Sequence, residues 1–186
     1  NGDTVKAVNA WGATSDVEQP LGYVSGSNAT AGEANRQVKT LAYQHYAQEC
    51  AYLPDSARGR FDKANVRSGN YWLWTPAWFY TRVGQGGTPV DENVAKLIGW
   101  FDGSLEPPTG VNIQEIVVES GDVPLCAMQA NRPDGDLSPI ESYAPESPCN
   151  GWYEYTATGE TEHKTCANTS DCSGTEACRF GYCEAY

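Results

Sequence analysis

Seven cysteines, at 50, 126, 149, 166, 172, 178 and 183, carry most of the covalent chemistry available to this chain. Four of them crowd into residues 166–183, a stretch poor in large apolar side chains. Such a stretch has no core of its own to hold it, so it needs staples, and disulfides persist only in an oxidising compartment. Four cysteines allow three connectivities. The pairs expected here are Cys166 with Cys178 and Cys172 with Cys183, and Cys126 and Cys149 are assigned to disulfides as well. An odd count leaves one thiol free or bonded to another chain, and Cys50 has no assigned partner. His163, Cys166, Cys172 and Cys178 are also zinc-ligand residue types, but zinc sites space their cysteines about two to four residues apart and these gaps are longer. No metal is expected.

Catalysis finds little to work with. A thiol or hydroxyl nucleophile needs a base beside it, and the chain has two histidines, His45 and His163. His45 sits on the apolar side of a predicted helix, and Cys50 belongs to the oxidising context. No nucleophile elbow and no paired-histidine zinc motif occurs. Asp134-Gly135-Asp136 matches part of a calcium loop but lacks the distal Glu, so it reads as a turn. The expectation is a protein that is not an enzyme and carries no cofactor.

Two stretches have the chemistry of binding. Ser25-Gly26-Ser27-Asn28-Ala29-Thr30 precedes a predicted helix, where free amides and the helix dipole favour an anion. Ser25, Gly26, Ser27 and Thr30 are its candidate ligands, although an ordinary turn and cap uses the same residues. Trp72, Trp74 and Trp78 alternate, which on a strand places all three on one face. Trp72 and Trp74 are candidate stacking residues for a flat ligand. Burial in a core or at a lobe interface explains the same rings. Asn28-Ala29-Thr30 and Asn168-Thr169-Ser170 are glycosylation sequons if the host modifies such sites.

The elements that must position these residues follow from caps and periodicity. Residues 1–20 are polar and irregular, with Trp11 as the one large anchor. Leu21 to Val24 reads as a short strand. Thr30-x-x-Glu33 is a capping box, and Val38, Leu41, Ala42 and His45 follow at helical spacing, which predicts a helix from Ala31 to Ala47. Phe61 and Val66 suggest a short extended piece. Residues 71–83 are aromatic and β-branched, but Pro76 limits them to two short strands or a bent crossing. Thr88-Pro89-Val90-Asp91 opens a second helix, Pro89 to Asp102, with Gly103 as its stop. Val111 to Val118, Val123 to Met128 and Trp152 to Thr156 read as extended. The class expected is α/β, a mixed sheet with flanking helices over residues 1–160, plus a small disulfide-rich tail at 161–186.

Charge narrows the partners. Acidic side chains outnumber basic ones 24 to 12, for a net charge of -12. That balance opposes nucleic acid, which needs clustered Lys and Arg. It leaves room for one small anion, which needs only local donors. Nothing approaches the about 18 consecutive apolar residues of a membrane-spanning helix.

Three pieces resemble the type 2 periplasmic substrate-binding proteins of the phosphate kind. Leu21-Gly22-Tyr23-Val24 with its capped helix is similar to one strand and helix of that family. Val66-Arg67-Ser68-Gly69-Asn70-Tyr71-Trp72-Leu73-Trp74-Thr75-Pro76 resembles the stretch that returns from the second lobe to the first. Pro89 to Asp102 resembles the family's late helix. The likeness covers about residues 21–118, and the stapled tail suggests a cysteine-tailed bacterial surface variant. It implies the C-terminal half of a periplasmic-binding-protein type 2 fold. That half closes by hinge motion on a small anion such as phosphate, with residues 72–76 near the hinge. A second polypeptide would supply the N-terminal half, which carries most of the family's ligands. It also implies a secreted, periplasmic or outer-surface location. The other reading is a cell-surface structural or interaction protein built on a receptor-derived fold.

Overall fold

Cys149, Tyr153 and Ala157 fall four residues apart, and this stripe holds the best-packed part of the chain. They line one side of helix α6 (Asn150–Thr158), which Gly159 ends in the left-handed conformation, φ 78°. Tyr153 and Cys149 are fully buried with Val118 and Ala127, and Val123, Cys126, Trp152 and Ala157 pack around them. The Cys126–Cys149 disulfide runs through this cluster.

The computed structural model describes residues 2–12, 21–22, 24–102, 104–135 and 138–185. They form a small mixed helix-and-strand protein with two small sheets. The remaining helices are α1 (Gly2–Gly12), α2 (Gly26–Ala34), α3 (Ala64–Arg67), α4 (Glu92–Asp102) and α5 (Ile113–Glu119). Short 3-10 turns lie at Leu125–Ala127 and Thr169–Asp171. Strand β1 (Ala130–Asn131) pairs antiparallel with β2 (Glu141–Ser142), and β3 (Ala177–Arg179) pairs antiparallel with β4 (Tyr182–Glu184). The β3–β4 loop is Phe180-Gly181, with φ 51° and 83°. Two positive values in a two-residue loop match the twist of the flanking strands. Thr165 bridges to Tyr182, and the disulfides Cys166–Cys178 and Cys172–Cys183 staple the hairpin.

The expected mixed sheet does not form among the described residues. Both sheets have two strands and are antiparallel. Three extended stretches expected from β-branched or aromatic content are helical instead. At 113–119, Asn112 Oδ1 accepts the Glu115 amide at 3.2 Å, a helix start that outweighs the Ile and Val content, and Val118 turns into the core. At 150–158, the four-residue stripe already described decides for helix. Leu125–Ala127 is a 3-10 turn rather than a strand.

The first half departs further. Residues 2–12 form a helix where irregular chain was expected; the Trp11 side chain lies outside the described residues. Leu21, Gly22 and Val24 form no strand, and Tyr23 lies outside the described residues. Helix α2 starts at Gly26, so Thr30 lies inside it and caps nothing. It stops at Ala34 because Arg36 turns left-handed, φ 56°, and Asn35 Nδ2 binds back to the Ala31 carbonyl at 2.8 Å. The helical spacing at 38–45 is thus not realised. Tyr43 pairs with Tyr52 instead, and Leu41 is exposed. Phe61 and Lys63 are both left-handed, and residues 64–67 make one helical turn rather than an extended piece. Helix α4 begins at Glu92 because Asp91, not Thr88, accepts the first amides, those of Asn93 and Val94, at 2.8 and 3.3 Å. Gly103, its expected stop, and Asp136, in the partial calcium motif, lie outside the described residues.

Candidate functional site

The anion candidates sit at the start of α2. Ser25 is the N-cap residue in extended conformation, and no side-chain cap hydrogen bond closes the helix. Ser25 Oγ lies 3.2 Å from Ser27 Oγ and accepts from Asn28 Nδ2 at 2.9 Å. Gly26 and Ser27 lie close to Gly121, and a methyl group added at Gly121 would come within 2.8 Å of the Ser27 Cα. Thr30 points the other way. Its hydroxyl accepts from Lys63 Nζ at 3.1 Å and lines a cleft of ≈ 160 Å³ with Phe61, Val118 and Tyr153.

Lys63 is the nearest cation, and its charge is already matched. Asp55 Oδ1 accepts both its Nζ and its own backbone amide at 2.8 Å, with the two side chains only 8% and 7% exposed. A buried pair made this way keeps its geometry because either charge alone in the interior costs several kcal/mol. Burial pushes the Tyr153 hydroxyl pKa up, against the opposing influence of Arg67, so it stays neutral in the cleft. The anion candidate therefore rests on helix amides without a free cation from Lys63.

The tryptophans do not share a strand face. Trp74 donates its amide to the Trp72 carbonyl at 3.0 Å, a tight turn that breaks the alternation. His45 stacks flat on Trp72, with ring centroids 3.9 Å apart and planes 5° apart. The Arg132 guanidinium lies 5.6 Å from the Trp72 ring and 5.1 Å from Trp74, and donates to the Trp72 carbonyl at 2.8 Å. The π-faces expected to receive a flat ligand thus meet the protein's own His45 and Arg132. His45 also meets the Tyr43 hydroxyl through Nδ1 at 3.3 Å.

Beyond Pro76 the chain is open. Phe79 is 71% exposed and Tyr80 90%, and Trp78 and Val83 are exposed as well. Phe79 reaches α4, where Phe101 is 44% exposed and Leu97 is also open, and the two Phe rings meet at 5.3 Å. Among the described residues, Phe79, Tyr80 and Thr81 make no backbone–backbone hydrogen bond. Phe79 and Phe101 thus join an extended segment to a helix through one exposed aromatic contact.

A second polar centre escaped the sequence. Arg67, almost fully buried, donates through Nε to the Ala127 carbonyl at 3.0 Å, through Nη1 to Glu154 at 3.1 Å and through Nη2 to Asn150 at 2.7 Å. Its guanidinium also lies 4.8 Å from the Tyr153 ring. Asn150 in turn donates to Glu184, and His163 lies between Glu184 and Glu154 at 3.9 and 4.0 Å. The acceptors of Arg67 lie 60 to 87 positions away along the chain, which is why no local motif announced them.

All six paired cysteines form disulfides: Cys126–Cys149, Cys166–Cys178 and Cys172–Cys183. The sulfurs of Cys166, Cys172 and Cys183 lie within 4.8 Å of one another because the two tail disulfides are adjacent. A sulfur in a disulfide offers no thiolate to a metal. Cys50 is free and exposed, and its hydrogen bond to Tyr52 raises the Tyr52 pKa. Among the described residues no helix is long and apolar enough to cross a membrane. Comparison of the chain with protein-family models, with curated proteins and with solved structures finds no match.

Proposed function

We propose that this protein is an extracytoplasmic binding module, not an enzyme, completed by a second polypeptide that covers its aromatic face. The observation that carries this reading is surface area. The chain exposes 12506 Å², whereas a self-contained monomer of 20.2 kDa exposes about 8,800 Å². Permanent complexes bury about 2,000–5,000 Å² counted over both subunits, half of it on each, so one such interface accounts for part of this excess of roughly 3,700 Å². Phe79, Tyr80, Leu97 and Phe101 are among the large apolar side chains the chain exposes, and aromatic side chains dominate the energetics of such interfaces. Along the same elements Asp91, Glu92, Asp102 and Glu106 outnumber Arg82 and Lys96, so the partner's rim is basic. A second copy of this chain, itself at -12, is the poorer match.

The resemblance to phosphate-type substrate-binding proteins gives this partner a form, the N-terminal half of a two-lobed receptor. The uncapped start of α2 supports the associated ligand, a small anion held on backbone amides. The matched charge of Lys63 supports the other reading, an assembly or adhesion role for a receptor-derived fold. The three disulfides support a secreted, periplasmic or surface location.

The test is native mass spectrometry of material isolated from its source, under non-reducing and reducing conditions. A bound second polypeptide is the expected result, and calorimetric titration of that complex with inorganic phosphate then separates the two roles. A lone monomer of 20.2 kDa at micromolar concentration overturns the reading.

A further inference from the structure

Glu184 is the least expected buried charge in the protein. It is 1% exposed, close to the end of the described chain, and its carboxylate reaches back to the start of a helix in the body. Oε1 accepts the Gly151 amide at 2.7 Å, and Oε2 accepts Asn150 Nδ2 at 3.0 Å. Gly151 is the second residue of α6, so its amide has no acceptor within the helix. The helix dipole adds to the attraction for a carboxylate there. Asn150 is fixed from behind by Arg67 Nη2, which orients its amide toward Glu184.

Two further polar contacts reach Glu154 of α6 from the start of the tail: Thr161 Oγ1 donates to its Oε2 at 2.9 Å, and His163 lies 4.0 Å away. The other contacts named here are of shape. Phe180 meets Trp152 and Tyr182 meets Tyr155 at 6.0 and 6.2 Å between ring centroids. Gly151 leaves room for this approach, since a methyl group there would fall 2.6 Å from His163 Cβ and 2.9 Å from Tyr182 Cβ. No covalent bond ties the tail down. Its disulfides both close within residues 166–183, and the third disulfide lies wholly in the body. The covalent link from α6 to the tail is the chain after Gly159, the left-handed residue that ends the helix.

We infer that residues 161–185 are a detachable module, stapled internally and clamped onto α6 by the Glu184 carboxylate. Its release uncovers the first amides of α6 and more of the half-buried Trp152, while the module keeps its own fold. The inference does not depend on the proposed partner, because the clamp lies on α6 and the aromatic face on residues 78–101.

Hydrogen exchange of the full chain under non-reducing conditions tests it, comparing wild type with Glu184→Ala and Glu184→Gln. Loss of a charge-assisted hydrogen bond is expected to speed exchange of the Gly151 amide by about tenfold or more in Glu184→Ala. Glu184→Gln, which keeps one acceptor oxygen, gives a smaller change. The amides of Cys166 and Cys183, which bond to the Gly181 and Lys164 carbonyls within the module at 2.9 Å, keep their wild-type protection in both. Unchanged exchange at Gly151 overturns the clamp. Loss of protection at Cys166 and Cys183 together with Gly151 overturns the independence of the module.

Discussion

Phe79 and Phe101 meet at 5.3 Å with their rings tilted 36°, although one lies on an extended segment and the other on a helix 22 residues later. The contact joins two elements into one apolar face, while 71% of Phe79 stays in contact with solvent. Aromatic pairs in this geometry contribute about 0.5–1.5 kcal/mol beyond their buried area. That is enough to hold the face in shape without covering it.

Changing Phe79 and Tyr80 to serine therefore separates association from stability. Phe79→Ser is expected to cost about 0.5–1.5 kcal/mol of folding stability through the lost ring contact with Phe101, and Tyr80→Ser within about 0.5 kcal/mol. Binding of the second polypeptide is expected to weaken by tenfold or more, about 1.4 kcal/mol. Thermal melts of the isolated chain and sedimentation of the complex read the two effects separately.

Arg67 behaves in the opposite way, because it is buried and serves three acceptors at once. Arg67→Ala is expected to cost about 3–5 kcal/mol, since it strands Glu154 and Asn150 beside the core. Arg67→Lys recovers little of this, because an ammonium lacks the planar fork that reaches Ala127, Glu154 and Asn150 together. Urea denaturation of both variants measures the difference.

The cysteines give a sharper contrast. Cys126→Ser with Cys149→Ser opens the 23-residue loop, with an expected loss of about 3 kcal/mol. Cys50→Ser is expected to leave the melting temperature unchanged. Thiol labelling of the native protein should give one adduct per chain, and none after Cys50→Ser.

Asp62 contributes to the acid limit of stability. Burial works to raise its carboxyl pKa, but hydrogen bonds from the Ser56 hydroxyl, the Ser56 amide and the Ala64 amide, with Arg60 nearby, outweigh burial and hold it below the ordinary value. A pKa lower in the folded than in the unfolded state means the stabilisation is present above the unfolded value, about 3.9, and is lost as pH falls through the folded one. Asp62→Asn is expected to flatten the fall in melting temperature below about pH 4 and to leave the shape of the curve above pH 6 unchanged.

What was legible in the sequence follows from how local each signal was. Helix α4 was visible because Thr88-Pro89-Val90-Asp91 and the apolar residues Val94, Leu97, Ile98 and Phe101 lie within one short window, although its start was placed three residues early, at Pro89 rather than Glu92. The stapled tail was visible because its cysteines crowd together. Helices α5 and α6 were misread as extended because β-branched and aromatic residues were weighed above caps. Asn112-x-x-Glu115 and the spacing of Cys149, Tyr153 and Ala157 were there to be read. The charged centre around Arg67 could not be read at all, since its acceptors are 60 to 87 residues away. The tryptophans were misplaced for a related reason: a tight turn at Trp72–Trp74 undid the alternation, and His45 and Arg132 took up their faces.

The three disulfides all lie between residues 126 and 183, which gives the chain an uneven response to pulling. Residues 2–125 carry no crosslink, so tension applied at the two ends can draw that portion out to roughly 400 Å at about 3.3 Å per residue. The C-terminal third resists, because each disulfide shunts the force past the loop it closes. Stretched between two anchors, the protein would lengthen from one side while the stapled hairpin at the other kept its shape.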